Sequence, residues 1–441
     1  MKPATKIEIK PTEKGKFLEQ PHGQDVWREV ILEDVASEIT VGHVGPMASE
    51  YVEAGIPFLR SQNVQYLRIE TEDIKFITPA FHKLLRKSSL SPGDVVIVRT
   101  GKPGTCAVIP DWLPVANCSD LVIVRCSSEL DPHFLAYFVN SLASGHVAAH
   151  LVGAVQQHFN VESARKIRLN LPPTYEQRAV ARFLRALDGK IELNHLMNRT
   201  LEAMGRAIFK HWFTEFEFPN ADGQPYRSSS GKMVYNEGLG REIPKDWRAS
   251  RLGREVQIEL GGTPDRTRAE FWNGDINWIN SGKVNEFRIV EPSAMITREG
   301  LDSSATKLLV KGTVVLAITG ATLGQVSRLE IDSCANQSVI GIVENERMSS
   351  EYLYFWIKET INDLVGWQTG GAQQHINKGN VENSIVLVPS ERIMQEYTGI
   401  ARPIFERISS LCVESLNLAR IRDLLLPKLI SGKLRVPAEV R

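Results

Sequence analysis

The chain states most of its pattern twice, at a spacing of about 220 residues. Gly153-Ala154-Val155-Gln156-Gln157-His158-Phe159-Asn160 returns as Gly371-Ala372-Gln373-Gln374-His375-Ile376-Asn377. Trp27 and Leu32 recur as Trp247 and Leu252, and Ile56-Pro57-Phe58-Leu59-Arg60 as Ile276-Asn277-Trp278-Ile279-Asn280. Gly93-Asp94-Val95-Val96 matches Gly312-Thr313-Val314-Val315, Thr100-Gly101 matches Thr319-Gly320, and Ala116-Asn117 matches Ala335-Asn336. Solenoid repeats run ~20–50 residues, so this period is a duplicated domain. Two similar but unequal copies suit two similar but unequal targets.

Each copy has two physically different parts. In the first, short β-branched runs bounded by Gly and Pro read as buried strands: Asp94–Val98 and Leu121–Val124, then Val314–Ile318 and Val339–Val343. Pro132–Leu142 and Ser350–Val365 read as short amphipathic helices in the same order. The second part is helical. Tyr175–Trp212 has no Pro and only Gly189 and Gly205. Its apolar seam steps by threes and fours through Leu184, Leu187, Ile191, Asn194, Asn198, Leu201, Gly205, Ile208 and Trp212. Ile404, Ile408, Leu411, Ser415, Leu418, Arg422, Leu425 and Leu429 form a distal seam.

Such a stripe packs either on its own globule or on a second helix. Two of them, with polar Asn194 and Asn198 fixing register, favour pairing with each other. At ~1.5 Å per residue the central helix spans roughly 55 Å, enough to hold two globules apart. The fold expected is α+β: two pseudo-symmetric globules separated by a pair of long antiparallel coiled-coil helices. The boundaries read as a lead segment 1–24, a first globule 25–172, a central helix 173–215 and a connecting loop 216–242. A second globule 243–389, a distal helix 390–433 and a tail 434–441 follow.

With 441 residues, 42% hydrophobic and 24% charged, the composition is that of a globular protein of several domains. Met1–Gln24 is Lys- and Glu-rich without an apolar core, so a signal peptide is not expected. No apolar run approaches the ~18–20 residues of a membrane span, and five scattered cysteines suit reduced thiols, so a cytoplasmic protein is expected. Net charge is zero, which does not advertise nucleic-acid binding, although a neutral total can conceal a basic face.

Catalytic signatures are missing. There is no GxxxxGK[ST], GxSxG or HExxH and no zinc-spaced Cys/His set. Leu171-Pro172-Pro173-Thr174 lacks the acceptor group of an amino-methyltransferase motif and reads as a strand-to-helix junction with Pro near the helix start. The expectation is a chain without an active site or metal site.

The repeated polar loops are the better candidates. Gln can bond adenine N6 and N7, and Arg can bond guanine. The candidate DNA-contacting set in the first copy is Arg60, Gln62, Asn63, Arg99, Thr100, Lys102, Gln156, Gln157 and His158. In the second it is Asn280, Ser281, Lys283, Thr319, Thr322, Gln373, Gln374, His375 and Lys378. Each has a plainer alternative, because loop amides cap helices and Gly after a strand serves a turn.

With duplicated globules and duplicated helices, the chain resembles the specificity (S) subunit of type I restriction-modification systems over nearly its whole length. The resemblance rests on Leu171-Pro172-Pro173 with Glu176-Gln177-Arg178, Lys190-Ile191-Glu192-Leu193-Asn194, Leu201-Glu202-Ala203-Met204 and Trp212-Phe213. It also rests on Ile243-Pro244 with Trp247 and Leu252, and on Arg422-Asp423-Leu424-Leu425-Leu426-Pro427-Lys428-Leu429-Ile430-Ser431-Gly432. The resemblance implies two target-recognition domains, each reading half of a bipartite site in double-stranded DNA, and a helical spacer. It implies two modification subunits that use S-adenosylmethionine to methylate adenine N6, and two restriction subunits that translocate and cut DNA with ATP and Mg²⁺. The chain itself would bind none of these cofactors. A non-catalytic scaffold or adaptor without sequence-specific DNA binding is the alternative. Arg99 against Ile318, and Arg60 against Asn280, are swaps where different half-sites would be encoded.

Overall fold

The computed structural model describes residues 26–141, 159–366 and 375–436. The lead segment 1–24 and the last five residues lie outside them. The chain forms two compact units: one holds the described residues up to Leu187 with those from Arg420 on, the other Asp188–Ala419.

The first unit contains β1 (Arg28–Ile31), β2 (Ala36–Val41), β3 (Tyr51–Val52), β4 (Ile56–Leu59), β5 (Lys75–Ile77), α1 (Pro79–Leu84), β6 (Ser89–Leu90), β7 (Val95–Val98), β8 (Cys106–Val108), β9 (Ala116–Cys118) and β10 (Leu121–Cys126). Next come α2 (Pro132–Ser141), α3 (Val161–Arg165), β11 (Arg168–Leu171) and the long α4 (Thr174–Phe213). Strands order β8-β7-β10-β2 in one antiparallel sheet and β3-β5-β4-β9-β6 in the other, where β4 and β9 run parallel.

Strand side chains alternate between faces, and this builds two cores. Val96, Val98, Leu121 and Ile123 face Leu59, Leu90 and Cys118, so the two sheets are joined by one apolar layer. Val95, Ile97, Val122 and Val124 face the other way, onto Phe134, Tyr137, Val180 and Leu184 of α2 and α4. β1 pairs with β11, Arg28 opposite Leu171, and so closes the globule just before the long helix begins.

The second unit repeats this plan. Its elements are β12 (Met233–Asn236), β13 (Arg241–Pro244), β14 (Arg248–Arg251), β15 (Gln257–Leu260), β16 (Trp272–Ile279), β17 (Ala294–Ile296), α5 (Arg298–Asp302), β18 (Val314–Ala317), β19 (Val326–Arg328), β20 (Cys334–Ala335) and β21 (Val339–Val343). They are followed by α6 (Ser350–Gly366), α7 (Lys378–Asn383), β22 (Ile385–Val388) and α8 (Glu391–Ile430). Sheets order β15-β21-β18-β19 and β17-β16-β20, with β16 and β20 parallel. Val315, Ala317 and Val339 face one core, while Val314, Leu316, Ile340 and Ile342 face the other. Gly341 interrupts the alternation because a Cβ there would meet Leu309 at 2.7 Å.

The segment 216–242, read from its Gly, Ser and Asn content as a loop, contains an antiparallel hairpin instead: β12 pairs with β13, Val234 opposite Ile243. Phe218 stacks on Trp247 at 4.7 Å and on Tyr226 at 4.6 Å, and this aromatic column gives the polar segment a fixed base.

The two long helices pair antiparallel. In the second unit Asn194 donates to Glu414 (2.9 Å) and to Ser415 (3.3 Å), Asn198 donates to Cys412, and Trp212 meets Tyr397 at 6.0 Å. As one number rises the other falls. In the first unit Val180, Ala181 and Leu184 share a core with Leu426, Leu429 and Ile430. The polar seam residues expected to fix register are buried and bonded across the pair. α8 runs on through Pro403, starting well before the distal seam begins. No helix among the described residues is long and apolar enough to cross a membrane.

Candidate nucleic-acid interface

In the first unit the ends of β2, β4 and β7 and the start of β10 lie at one edge, held by four backbone hydrogen bonds. Gly42 donates to the Leu121 carbonyl (2.8 Å), His43 to Cys118 (2.8 Å), Ser119 to Leu59 (3.0 Å) and Phe159 to Arg99 (2.9 Å). The second unit repeats all four: Gly261 to Val339 (3.0 Å), Gly262 to Ala335 (2.8 Å), Asn336 to Ile279 (3.0 Å) and Ile376 to Ile318 (3.1 Å). Glycine is needed where the chains cross closest. A Cβ on Gly42 would sit 2.8 Å from the Cys118 sulfur, and one on Gly261 2.1 Å from the Asn336 carbonyl.

These bonds correct one equivalence. Ser119, not Asn117, occupies the place of Asn336. Asn117 lies two residues earlier, opposite Phe58, and is buried with its amide on Ser88 (2.7 Å) and the Leu85 carbonyl (3.1 Å).

Four of the six described candidates of the first unit are already engaged. Arg60 and Gln62 both donate to the Asp73 carboxylate, at 3.0 and 2.9 Å. Lys75 foremost, then Arg60 and Gln62, hold that carboxyl far below the usual carboxylate range. Asn63 is buried: its Oδ1 accepts from Arg60 N and its Nδ2 donates to the carbonyls of Glu70 and Glu72. It therefore shapes the loop and offers no edge to a base. Arg99 is mostly buried, ion-paired with Asp120 and bonded through Nε to the Phe159 carbonyl (3.1 Å). It ties the strand end to the chain that re-enters at Phe159. Thr100 is half-buried and Lys102 exposed on the turn around Gly101 at φ 83°. Gln156, Gln157 and His158 lie outside the described residues.

In the second unit Asn280 is exposed and caps the turn after β16, its Oδ1 accepting from Lys283 N (3.2 Å) beside half-buried Ser281. Lys283 is held by Glu286 (2.8 Å) and Glu291 (3.3 Å), and Lys378 lies 3.5 Å from Glu382. Thr322 donates to the Thr319 carbonyl (3.2 Å), so that pair closes a turn. His375 is exposed and bridges to Thr319, next to Gly320. Gln373 and Gln374 lie outside the described residues. The Asn of each repeated loop is a helix cap: Asn160 accepts from Ser163 N (2.8 Å) and Asn377 from Asn380 N (2.9 Å).

Three features at or beside the edge were not singled out from sequence. His43 follows Gly42, and its ring meets Phe81 of α1 edge-on at 6.2 Å. On the outer side of α1 and the turn after it, Lys83, Arg86 and Lys87 are exposed, with no ion pair among the described residues. The basic run His82-Lys83…Arg86-Lys87 was visible, but the zero net charge hid it. In the second unit Thr263 donates to Gln337 Oε1 (2.5 Å), which places an exposed amide beside Asn336. The helix matching α1 there, α5, carries Arg298 paired with Asp302 at 3.1 Å.

The groups on each edge are amides, hydroxyls, imidazoles and cations, the donors and acceptors that read base edges and hold phosphates. Among the described residues no three His, Cys, Asp or Glu are placed to hold a metal ion. An open groove of about 820 Å³ is lined by Arg241, Trp356, Glu359 and Asp363, none of which belongs to this edge.

The profile of the family described as "Type I restriction modification DNA specificity domain" matches residues 27–203 and 244–400. The chain is 23% identical over 436 residues to the MjaIX specificity subunit of Methanocaldococcus jannaschii, covering 97% of each. It is 26% identical over 432 residues to the HindI specificity subunit of Haemophilus influenzae, covering 84% of this chain and 92% of that one. The crystal structure of a type I restriction-modification S subunit from M. genitalium superposes with a TM-score of 0.60 at 13% identity, over 93% of this chain and 98% of that one.

Proposed function

Because the chain belongs to the type I restriction-modification DNA specificity family, we propose that each globule reads one half of a bipartite duplex site with its four-bond loop edge. As a specificity subunit the chain is non-catalytic, and the chemistry lies in partner subunits. The observation that carries the half-site reading is the pairing of a constant frame with changed side chains. The same four backbone bonds recur in both copies, yet Arg60 faces Asn280, Arg99 faces Ile318, and His43 faces Gly262. A conserved frame with varied donors suits two surfaces that dock alike and read different bases.

In this reading Lys102 and the Lys83, Arg86 and Lys87 strip approach phosphates, while Asn280, Gln337 and His375 present donors to base edges. Arg60, Arg99 and Lys283, already held by carboxylates, position their loops or exchange partners on binding. The paired helices set the spacer between the half-sites. Leu193, Leu196 and Met204 on α4 and Val413 on α8 leave apolar side chains exposed in the second unit, a surface that suits helices of modification subunits. Those subunits would use S-adenosylmethionine to methylate adenine N6, two per specificity subunit. Two restriction subunits would supply the ATP- and Mg²⁺-dependent steps.

The experiment is expression with the modification subunits followed by single-molecule methylome sequencing. Asn280→Ala is expected to relax one position in one half of a bipartite methylated motif and leave the other half unchanged. Relaxation of both halves, or no bipartite motif with the unaltered protein, contradicts the reading.

A further inference from the structure

The second globule meets the long helices through a group of charges withdrawn from water. Arg288 is wholly buried. Its Nη2 donates to Glu202 of α4 (2.9 Å), and its Nη1 donates to the Tyr354 hydroxyl (2.9 Å) and to the Phe287 carbonyl (2.7 Å). The guanidinium lies over the rings of Tyr354 (4.4 Å) and Phe405 of α8 (5.1 Å). Glu202 also accepts from Tyr354 (2.9 Å) and Lys358 (3.1 Å). Behind Arg288, Glu330 is buried and accepts from Arg328 (2.8 Å), which reaches Ser350 of α6 (3.0 Å). At the rim, half-exposed Arg402 of α8 pairs with Glu344 (2.7 Å) and reaches buried Glu351 (3.3 Å).

The first copy is built differently at the same place. Equating Arg60 with Asn280 puts Arg68 opposite Arg288, and Arg68 is half-exposed beside Glu70. Counting from the starts of α2 and α6 puts Ala136 and Asn140 opposite Tyr354 and Lys358. Asn140 there turns back onto the carbonyls of Cys106 and Ala136, both at 2.9 Å. Near that place Arg422 of α8 lies over the Tyr66 ring at 5.4 Å.

Burying charge costs desolvation, and its return is specificity of arrangement more than stability. A globule that shifts on its helices would strand Arg288 without Glu202, so one seating is strongly preferred. We propose that Arg288 is a positioning residue that fixes how the second globule sits on α4 and α8, and thereby the spacer length accepted between the half-sites. The first globule lacks that joint and is tied to α4 at another place, by buried Glu176 on Trp27 (3.0 Å) and buried Gln177 on the Glu129 carbonyl (2.8 Å). This rests on the half-site reading above.

The test variant is Arg288→Met, which keeps the volume. Glu202 retains Tyr354 and Lys358, and Glu330 retains Arg328, so no carboxylate is left alone. The complex with its modification subunits is compared by methylome sequencing with the unaltered protein and with Arg68→Met. The expected result is unchanged half-sites, with at least about a tenth of the methylated sites in Arg288→Met at spacers one base pair longer or shorter, and a single spacer in Arg68→Met. Glu202→Gln, which keeps the side-chain size but replaces one of the two accepting oxygens by an NH2 and so breaks the pairing with Arg288, is the second variant should Arg288→Met not assemble, and the same broadening is expected. A single spacer in the assembled variants, whether methylation is full or uniformly reduced, overturns the proposal. If the unaltered protein gives no bipartite motif, the half-site reading fails instead, so the two failures are distinguishable.

Discussion

Asn198 on one long helix donates its Nδ2 to the Cys412 sulfur on the other at 3.3 Å, inside a seam that also buries Asn194 and Ser415. Its Oδ1, like that of Asn194, is buried without a hydrogen-bond partner among the described residues. Such groups cost stability and fix register. The helix pair is therefore keyed as well as glued, and a change of length here changes which residues face one another. Four residues inserted after Asn198, about one turn and ~6 Å, are expected to lengthen the recognised spacer while both half-sites stay the same. Methylome sequencing of the assembled variant checks this, and retention of the original spacer would sink the ruler idea.

The Lys83, Arg86 and Lys87 strip lies on the outer side of α1, whose Phe81 packs on His43. Each phosphate neutralised contributes about 0.9 to the slope of log affinity against log salt. Replacing all three by Gln is expected to reduce that slope by about 2 to 3 and to weaken binding alike on cognate and altered sites. A changed sequence preference with an unchanged slope would assign the strip to base reading.

Burial pushes the Glu202 carboxyl up, but Arg288 and Lys358 outweigh it and hold it below its ordinary value of 4.5. A carboxylate depressed in the folded state stabilises above its unfolded value, and that contribution is lost as the pH falls through the lower folded value. The stability gap between the protein and Glu202→Gln should therefore narrow on going from about pH 6 to about pH 3. Denaturant unfolding across that range measures it, and a gap that widens toward acid contradicts the assignment.

Burial raises the Cys106 and Cys118 thiols far above their usual range, and takes Cys126 to about 12 and Cys334 and Cys412 to about 11. Thiolates carry the reactivity, so native protein at neutral pH is expected to resist iodoacetamide at all five cysteines until it unfolds. Rapid labelling of Cys412 before unfolding would show that the helix seam opens.

The elements legible in the sequence were those with local causes. β-branched runs at Val95–Val98 and Val339–Val343 and the three-four seam through Asn194 and Asn198 carry their own periodicity. What escaped depends on distant partners. Pairing of Asn117 with Phe58 is parallel and non-local, so the matching letters at Ala116-Asn117 and Ala335-Asn336 pointed to the wrong register. Arg99 looked like a free base-reading arginine because Asp120, which claims it, comes 21 residues later. The polar composition of 216–242 concealed a hairpin that is held by Phe218 and Trp247. Asn160 and Asn377 matched as letters, but only their bonds to Ser163 and Asn380 show that the match records a cap.

A domain exchange tests whether one globule reads one half-site. Residues 25–172 are replaced by the corresponding segment of a relative with a different motif, and the methylome of cells carrying the exchanged complex is sequenced. The expected result is a bipartite motif with one new half, one unchanged half and the original spacer. Change in both halves, or in neither while methylation persists, would contradict it.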